Sequence, residues 1–285
     1  MMNKIKTAFF GTDEISVYVL EELSKANINI NLIVSTPDTK QGRGMQLTST
    51  PTKVWAEENN IPVVQPEKLN SDFIKEIKEI GGEDGWDLFI VTSYGKIVPK
   101  SVLDIPKYQT LNVHPSLLPL YRGPSPIESA MVNDDLDTGV TIMRIDEGVD
   151  TGPIVNQEFV SFEEWVPKPI IAEELARVGG KLLAETIELW VNGGIKEQKQ
   201  NHGVATHTKK ISKEDGRLNI KNGNSRKNFL KIMAYTPWPG TFFFKDDKRI
   251  KITDAKYNKE NDELEILKVI PEGKKETEYK NFISS

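Results

Sequence analysis

Two short apolar runs enclose a helical pattern at the start of this chain, and that succession restricts its fold more than any other feature. Thr7-Ala8-Phe9-Phe10 leads into Gly11-Thr12. Ile15, Val19, Leu20 and Leu23 then recur at the spacing of one helix face, and residues 29–35 form a second strand-like run. A β-α-β opening of this kind is expected of a doubly wound sheet. Residues 87–92, Asp-Leu-Phe-Ile-Val-Thr, read as a buried parallel strand. Further strands are predicted at 61–64, 110–114 and 140–145, and helices at 54–59, 73–80, 127–133 and 170–191. Asp137-Thr138-Gly139 reads as a turn ahead of the strand at 140. The first turn, Gly11-Thr12-Asp13-Glu14-Ile15, is not Gly-x-Gly-x-x-Gly, which argues against a nicotinamide dinucleotide.

The chemistry concentrates between Leu111 and Gly152. Asn112 and His114 stand two apart, so on a strand they share a face, and Pro115 ends that strand. Asp150 follows in Asp150-Thr151-Gly152. An amide donor, a protonatable ring and a carboxylate to orient it suit acyl transfer through a tetrahedral intermediate. His114 and Asp150 are 36 positions apart (150 − 114), so their meeting is a tertiary expectation. The three histidines, at 114, 202 and 207, show no metal-ligand spacing, so no metal is expected. His202 and His207 read as solvated polar residues in or beside a linker.

The chain has no cysteine, which excludes disulfides and a thiolate nucleophile and fits a reducing cytoplasm. No apolar run approaches the ~20 residues of a membrane span, and the first residues lack the apolar core of a signal peptide. Charge is unevenly spread. Residues 201–285 hold 18 Lys and Arg against 12 Asp and Glu, a net of +6, so residues 1–200 carry −11 of the total −5. A basic tail on an acidic body points to a polyanionic partner.

Asn112-Val113-His114-Pro115-Ser116-Leu117-Leu118-Pro119, then Tyr121-Arg122-Gly123, Pro126-Ile127 and Asp150-Thr151-Gly152, resemble the signature of formyltransferases that use 10-formyltetrahydrofolate. The resemblance places the family's catalytic Asn, His and Asp on Asn112, His114 and Asp150. It makes Ser116, Leu117, Leu118 and Pro119 a tetrahydrofolate-binding turn, and sets Tyr94 and Gly95 at the border of the folate pocket. Residues 36–47 are a long loop without periodicity. Pro37-Asp38, Gly42-Arg43-Gly44, Leu47, Pro51 and Lys53 there resemble the loop by which methionyl-tRNA formyltransferases grip their tRNA. Arg43 between Gly42 and Gly44 could approach phosphate with little backbone obstruction.

Beyond residue 205 the pieces also resemble that family. They are Lys209-Lys210-Ile211-Ser212-Lys213, a helix at 225–233, Thr236-Pro237-Trp238-Pro239-Gly240, strands at 241–244, 249–253 and 264–269, and Glu272-Gly273-Lys274-Lys275. The resemblance implies an α/β, Rossmann-like formyltransferase domain with a mostly parallel sheet over residues 1–195. A linker at 196–206 and a small OB-like β-barrel at 207–285 would follow, with Lys209, Lys210, Lys213 and Lys274 as tRNA contacts. The chain departs from the family at Met233, where Arg is usual. It is also short of a strand pair between Lys256 and Leu264, so a reduced barrel is expected.

The implied activity is transfer of a formyl group from 10-formyltetrahydrofolate to the amino group of initiator methionyl-tRNA in translation initiation, by a cytoplasmic monomer. The rivals are a formyltransferase acting on a nucleotide-linked amino sugar or on glycinamide ribonucleotide, a hydrolase releasing formate from the same folate, and a non-catalytic RNA-binding relative. The Arg43 loop and basic tail argue against the first two acceptors, and intact Asn112, His114 and Asp150 argue against the last.

Overall fold

The computed structural model describes residues 5–41, 45–221 and 223–284. By its internal contacts the chain divides into two compact units. The first runs from the N-terminus to Arg122 and includes Gly139–Val160 and Glu173–Thr206. The second comprises Gly123–Thr138, Ser161–Ala172 and everything from His207 onward, so it draws on two segments from earlier in the chain.

In chain order the first elements are β1 (Thr7–Phe10), α1 (Glu14–Lys25), β2 (Leu32–Val34), β3 (Thr39–Gln41), β4 (Gln46–Thr48), α2 (Pro51–Glu58), β5 (Val63–Val64), α3 (Ser71–Gly81), β6 (Leu88–Val91), α4 (Lys100–Leu103) and β7 (Thr110–His114). They are followed by α5 (Pro126–Asn133), β8 (Asp137–Arg144), β9 (Ile154–Ser161) and α6 (Lys168–Val191). Seven strands form one sheet in the order β5-β2-β1-β6-β7-β8-β9. The pairs β5/β2, β2/β1, β1/β6 and β6/β7 are parallel, and β8 returns antiparallel to β7. The sheet is therefore mostly parallel, as expected. Every residue of β1, β2 and β6 is buried, which is why their sequences read as unbroken apolar runs.

Helix boundaries follow capping chemistry. The Asp13 carboxylate accepts the Ser16 N–H to start α1, and Thr50 caps α2 with Pro51 in its first turn. Between α3 and the sheet, Phe10 meets Phe73 at 6.4 Å and Tyr94, which follows β6, at 5.6 Å, both edge to face. Burying an aromatic of this size contributes roughly 1.5–3 kcal/mol.

Three sequence expectations need correction. Asp137-Thr138-Gly139 is not a turn but the start of β8. A Cβ on Gly139 would lie 2.2 Å from the Glu158 carbonyl oxygen and 2.7 Å from the Leu117 side chain, so glycine there permits close packing. β9 has no counterpart among the predicted strands, because its half-exposed Asn156-Gln157-Glu158 stretch shows no clean alternation. The loop at 36–47 contains the antiparallel pair β3/β4.

The second unit contains α5 and α7 (Ser225–Ala234), with β10 (Thr241–Lys245), β11 (Lys248–Asn258), β12 (Glu263–Pro271), β13 (Thr277–Glu278) and α8 (Tyr279–Ile283). Its strands form a four-stranded antiparallel meander in the order β10-β11-β12-β13, where a small barrel is expected from the sequence. Arg226 on α7 forks onto Asp134 at 2.9 and 2.6 Å and lies over the Tyr257 ring, tying helix, sheet and the early segment together. Among the described residues no helix is long and apolar enough to cross a membrane.

Candidate active site

Phe10, Val91 and Asn112 form one row across β1, β6 and β7. The segments beyond that row leave the carboxyl ends of neighbouring parallel strands, where open α/β sheets build their sites. His114 is the last residue of β7 and shares a strand face with Asn112. His114 is buried, while Asn112 is only partly covered.

His114 and Asp150 do meet. The ring Nδ1 lies 3.7 Å from the Asp150 carboxylate, and Nε2 lies 3.1 Å from the Tyr121 carbonyl oxygen. A carbonyl can only accept, so Nε2 carries a proton and Nδ1 faces the carboxylate. Burial pushes the His114 pKa below the ordinary imidazole value, against the opposing pulls of the Asp150 charge and the Tyr121 carbonyl. That burial favours the neutral ring.

Asp150 holds its carboxylate in place from a left-handed backbone conformation, φ 52°, which is uncommon for a residue with a side chain. Two neighbours enforce that turn. A Cβ on Gly152 would fall 1.9 Å from the Arg144 carbonyl oxygen, so only glycine fits against β8. The Gln200 amide donates to the carbonyls of Asp150 at 2.9 Å and Gly152 at 2.6 Å.

The turn after β7 is equally fixed. The Ser116 hydroxyl donates to the Leu120 carbonyl, and Leu118–Pro119 is a cis peptide. Thr141 on β8 accepts the Leu118 N–H and donates to the Ser116 carbonyl, while Gln157 on β9 donates to the Leu118 carbonyl and to Thr141. Ser116 and Leu118 are buried, while Leu117 and Pro119 are half-buried. Gly95 is exposed with φ 79°. The Tyr94 side chain instead points into the hydrophobic core. Its hydroxyl has no hydrogen-bond partner among the described residues, and burial pushes its pKa up to about 12. What Tyr94 can offer a ligand is backbone.

Gly42, Arg43 and Gly44 lie outside the described residues. The β3/β4 hairpin on either side is tied at its base by Asp38, which accepts from Gln65 and Lys53, each at 2.7 Å, and from Ser49 at 3.3 Å. In the second unit Lys209 pairs with Asp215, and Lys210, Lys213 and Lys274 are exposed. Among the described residues no group of three or more His, Asp or Glu side chains is placed to hold a metal ion.

Two residues escaped the sequence reading. Gln200 and Thr206 lie in a polar stretch that reads as a linker, yet both bond to the site. His202 is exposed but not purely solvated, since its Nδ1 lies 3.1 Å from the Arg122 guanidinium. No spacing signal could have marked them, because their partners lie 48 (200 − 152) to 87 (206 − 119) residues away.

Residues 4–187 match the family described as formyl transferase, and residues 210–265 match its C-terminal domain. The chain is 38% identical to a methionyl-tRNA formyltransferase of Thermodesulfovibrio yellowstonii, over 97% of this chain and 94% of the relative. Among solved structures, methionyl-tRNA formyltransferase from Clostridium thermocellum is similar, with a TM-score of 0.64 at 15% identity, covering 94% of this chain and 98% of that one. An N-formyltransferase from Helicobacter canadensis, in complex with folinic acid and dTDP-3-aminofucose, gives a TM-score of 0.61 at 21% identity, covering 89% of this chain and 91% of that one. The amide and ring on β7 and the carboxylate that faces the ring thus lie on the scaffold these proteins share, and the chain belongs to the formyl transferase family, among the methionyl-tRNA formyltransferases.

Proposed function

We propose that this protein transfers the formyl group of 10-formyltetrahydrofolate to the α-amino group of initiator methionyl-tRNA, as a cytoplasmic monomer serving translation initiation. The observation that carries the reading is the approach of His114 to Asp150 beside Asn112 at the end of β7, in a chain whose relatives over nearly its full length are methionyl-tRNA formyltransferases. The division of labour follows the order of the chain, with catalysis in residues 1–195, a connector at 196–206 and tRNA binding at 207–285.

The amine attacks the formyl carbon, and Asn112 donates to the oxygen that becomes negative. The neutral His114 ring, with Nδ1 turned to Asp150, accepts the proton that the attacking amine must lose. The carboxylate then stabilises the imidazolium. Collapse breaks the bond from the formyl carbon to N10 of tetrahydrofolate, and the same proton goes to that nitrogen. The turn at Ser116, Leu117, Leu118 and Pro119, with Gly95 and the Tyr94 backbone, borders the folate. Folinic acid in the Helicobacter canadensis relative supports a folate as formyl donor. Arg43, with Gly42 and Gly44 beside it, and Lys209, Lys210, Lys213 and Lys274 contact the tRNA.

Acceptor choice tests the reading. The enzyme, given 10-formyltetrahydrofolate, is offered methionyl-tRNA, a nucleotide-linked amino sugar or water alone. Formyl-methionyl-tRNA as the dominant product is expected. Faster formylation of the sugar, or formate release independent of any acceptor, would overturn it.

A further inference from the structure

The segment that reads as a linker bonds to the backbone that carries Asp150 and to the residue whose carbonyl engages the His114 ring. Gln200 is buried, and its amide is fully used. Its Oε1 accepts from Nε and Nη2 of buried Arg122, at 3.0 and 2.6 Å, while its Nε2 donates to the carbonyls of Asp150 and Gly152. Two acceptor sites and two donor hydrogens are all an amide has, so only one orientation of the group satisfies these four bonds. Six residues on, Thr206 brackets Tyr121, the residue whose carbonyl receives the His114 proton. The Thr206 hydroxyl accepts the Tyr121 N–H at 2.7 Å, its carbonyl accepts the Arg122 N–H at 2.9 Å, and its own N–H donates to the Pro119 carbonyl at 3.2 Å. All of these residues belong to the first unit.

Resting on the formyl-transfer reading above, we infer that Gln200 and Thr206 are positioning residues for catalysis: Gln200 holds the backbone from which Asp150 faces His114, and Thr206 holds the carbonyl that orients the His114 ring. Neither side chain touches substrate. Each acts on one partner of a pair whose separation and angle decide whether a proton can pass. Arg122 fixes the Gln200 amide and so belongs to the same device. A segment that merely sealed the connector against the body would need no such convergence on the backbone of Asp150 and of Tyr121, the residues that flank the pair.

The test uses Gln200→Asn, which keeps an amide but shortens its reach, and the pair Thr206→Val and Thr206→Ser, which remove and retain the hydroxyl. Single-turnover formyl transfer in the full-length protein should slow by about 10- to 100-fold for Gln200→Asn and Thr206→Val, since misplacement of about 1 Å can cost ~10²-fold. KM for folate and for methionyl-tRNA should stay within about twofold, and Thr206→Ser should recover the rate. On an Asp150→Ala background Gln200→Asn should cost nothing further, because the group it positions is gone. Without any substrate, NMR titration of the His114 ring should show a lower pKa in Gln200→Asn than in the wild type, as the carboxylate turns away. Undiminished kcat in both Gln200→Asn and Thr206→Val, losses that multiply on the Asp150→Ala background, or an unmoved His114 titration would each overturn the inference. A wild-type protein that transfers no formyl group would instead remove the functional reading, and the titration would still decide whether Gln200 places Asp150.

Discussion

His114 Nδ1 stands 3.7 Å from the Asp150 carboxylate while Nε2 of the same ring is engaged by the Tyr121 carbonyl. The ring is held at one nitrogen and left able to take a proton at the other. Burial lowers its pKa in the folded state, and the nearby carboxylate opposes that shift. The ring should therefore titrate below about 6.5, the ordinary value for histidine. Asp150→Asn should lower its midpoint further, because the opposing charge is lost. The linkage has a definite sign. Above about pH 6.5 both folded and unfolded states hold a neutral ring, and His114 leaves stability unchanged. As pH falls the unfolded chain takes up the proton first, so His114 lowers stability between that pH and its folded pKa. NMR titration of the ring in wild type and Asp150→Asn checks both statements, and a midpoint at or above 6.5 in the wild type would contradict them.

Gly152→Ala should be damaging although the change is one methyl group. The added Cβ would meet the Arg144 carbonyl oxygen at 1.9 Å, a backbone atom of β8 that cannot step aside cheaply. Overpacking of this kind costs about 1–3 kcal/mol. The displaced turn also carries Asp150, so formyl transfer should fall by more than the lost stability explains. Thermal melting beside single-turnover rates at a temperature where the variant is folded separates the two effects.

Tyr94→Phe should raise the melting temperature. The hydroxyl is buried beside Phe10 without a partner among the described residues, and leaving such a group unpaired costs about 1–3 kcal/mol. Removing it keeps the ring packing and the backbone, so KM for 10-formyltetrahydrofolate should not change. A rise in that KM would mean that the phenol itself reaches the folate.

Arg43→Ala should weaken methionyl-tRNA binding and flatten its salt dependence. A lost phosphate contact lowers the slope of log K against log salt by about 1. Filter binding at several salt concentrations measures the slope. Weakened affinity at unchanged slope would show that Arg43 contacts something other than a phosphate.

Much of the first unit was legible because its sheet is buried on both faces. Leu88–Val91 is a short apolar strand and Thr110–His114 alternates polar with apolar residues, carrying Asn112 and His114 itself, and sequence pattern locates both within a residue or two. Asn112, His114 and Asp150 could be named from their residue types and resemblance, but their geometry could not. The half-exposed strand Ile154–Ser161 was invisible for want of an apolar pattern. Asp137-Thr138-Gly139 misled because its residues favour turns, whereas here the glycine admits a neighbouring carbonyl. Gln200 and Thr206 sit in a polar segment, and their partners come from tertiary folding, which no local spacing encodes. The same holds for residues 123–138 and 161–172, which belong to the second unit by contacts made with residues far along the chain.

The central claim is that Asn112, His114 and Asp150 together move a formyl group onto methionyl-tRNA. The most direct measurement is the single-turnover rate of formyl-methionyl-tRNA formation from 10-formyltetrahydrofolate by the wild type and by Asn112→Ala, His114→Ala and Asp150→Ala, each shown to be folded by circular dichroism. The account predicts transfer by the wild type, a loss of ~10²–10³-fold without the Asn112 donor, and losses of about 10²–10⁴-fold without His114 or Asp150. Wild-type rates in any of the three folded variants would contradict it.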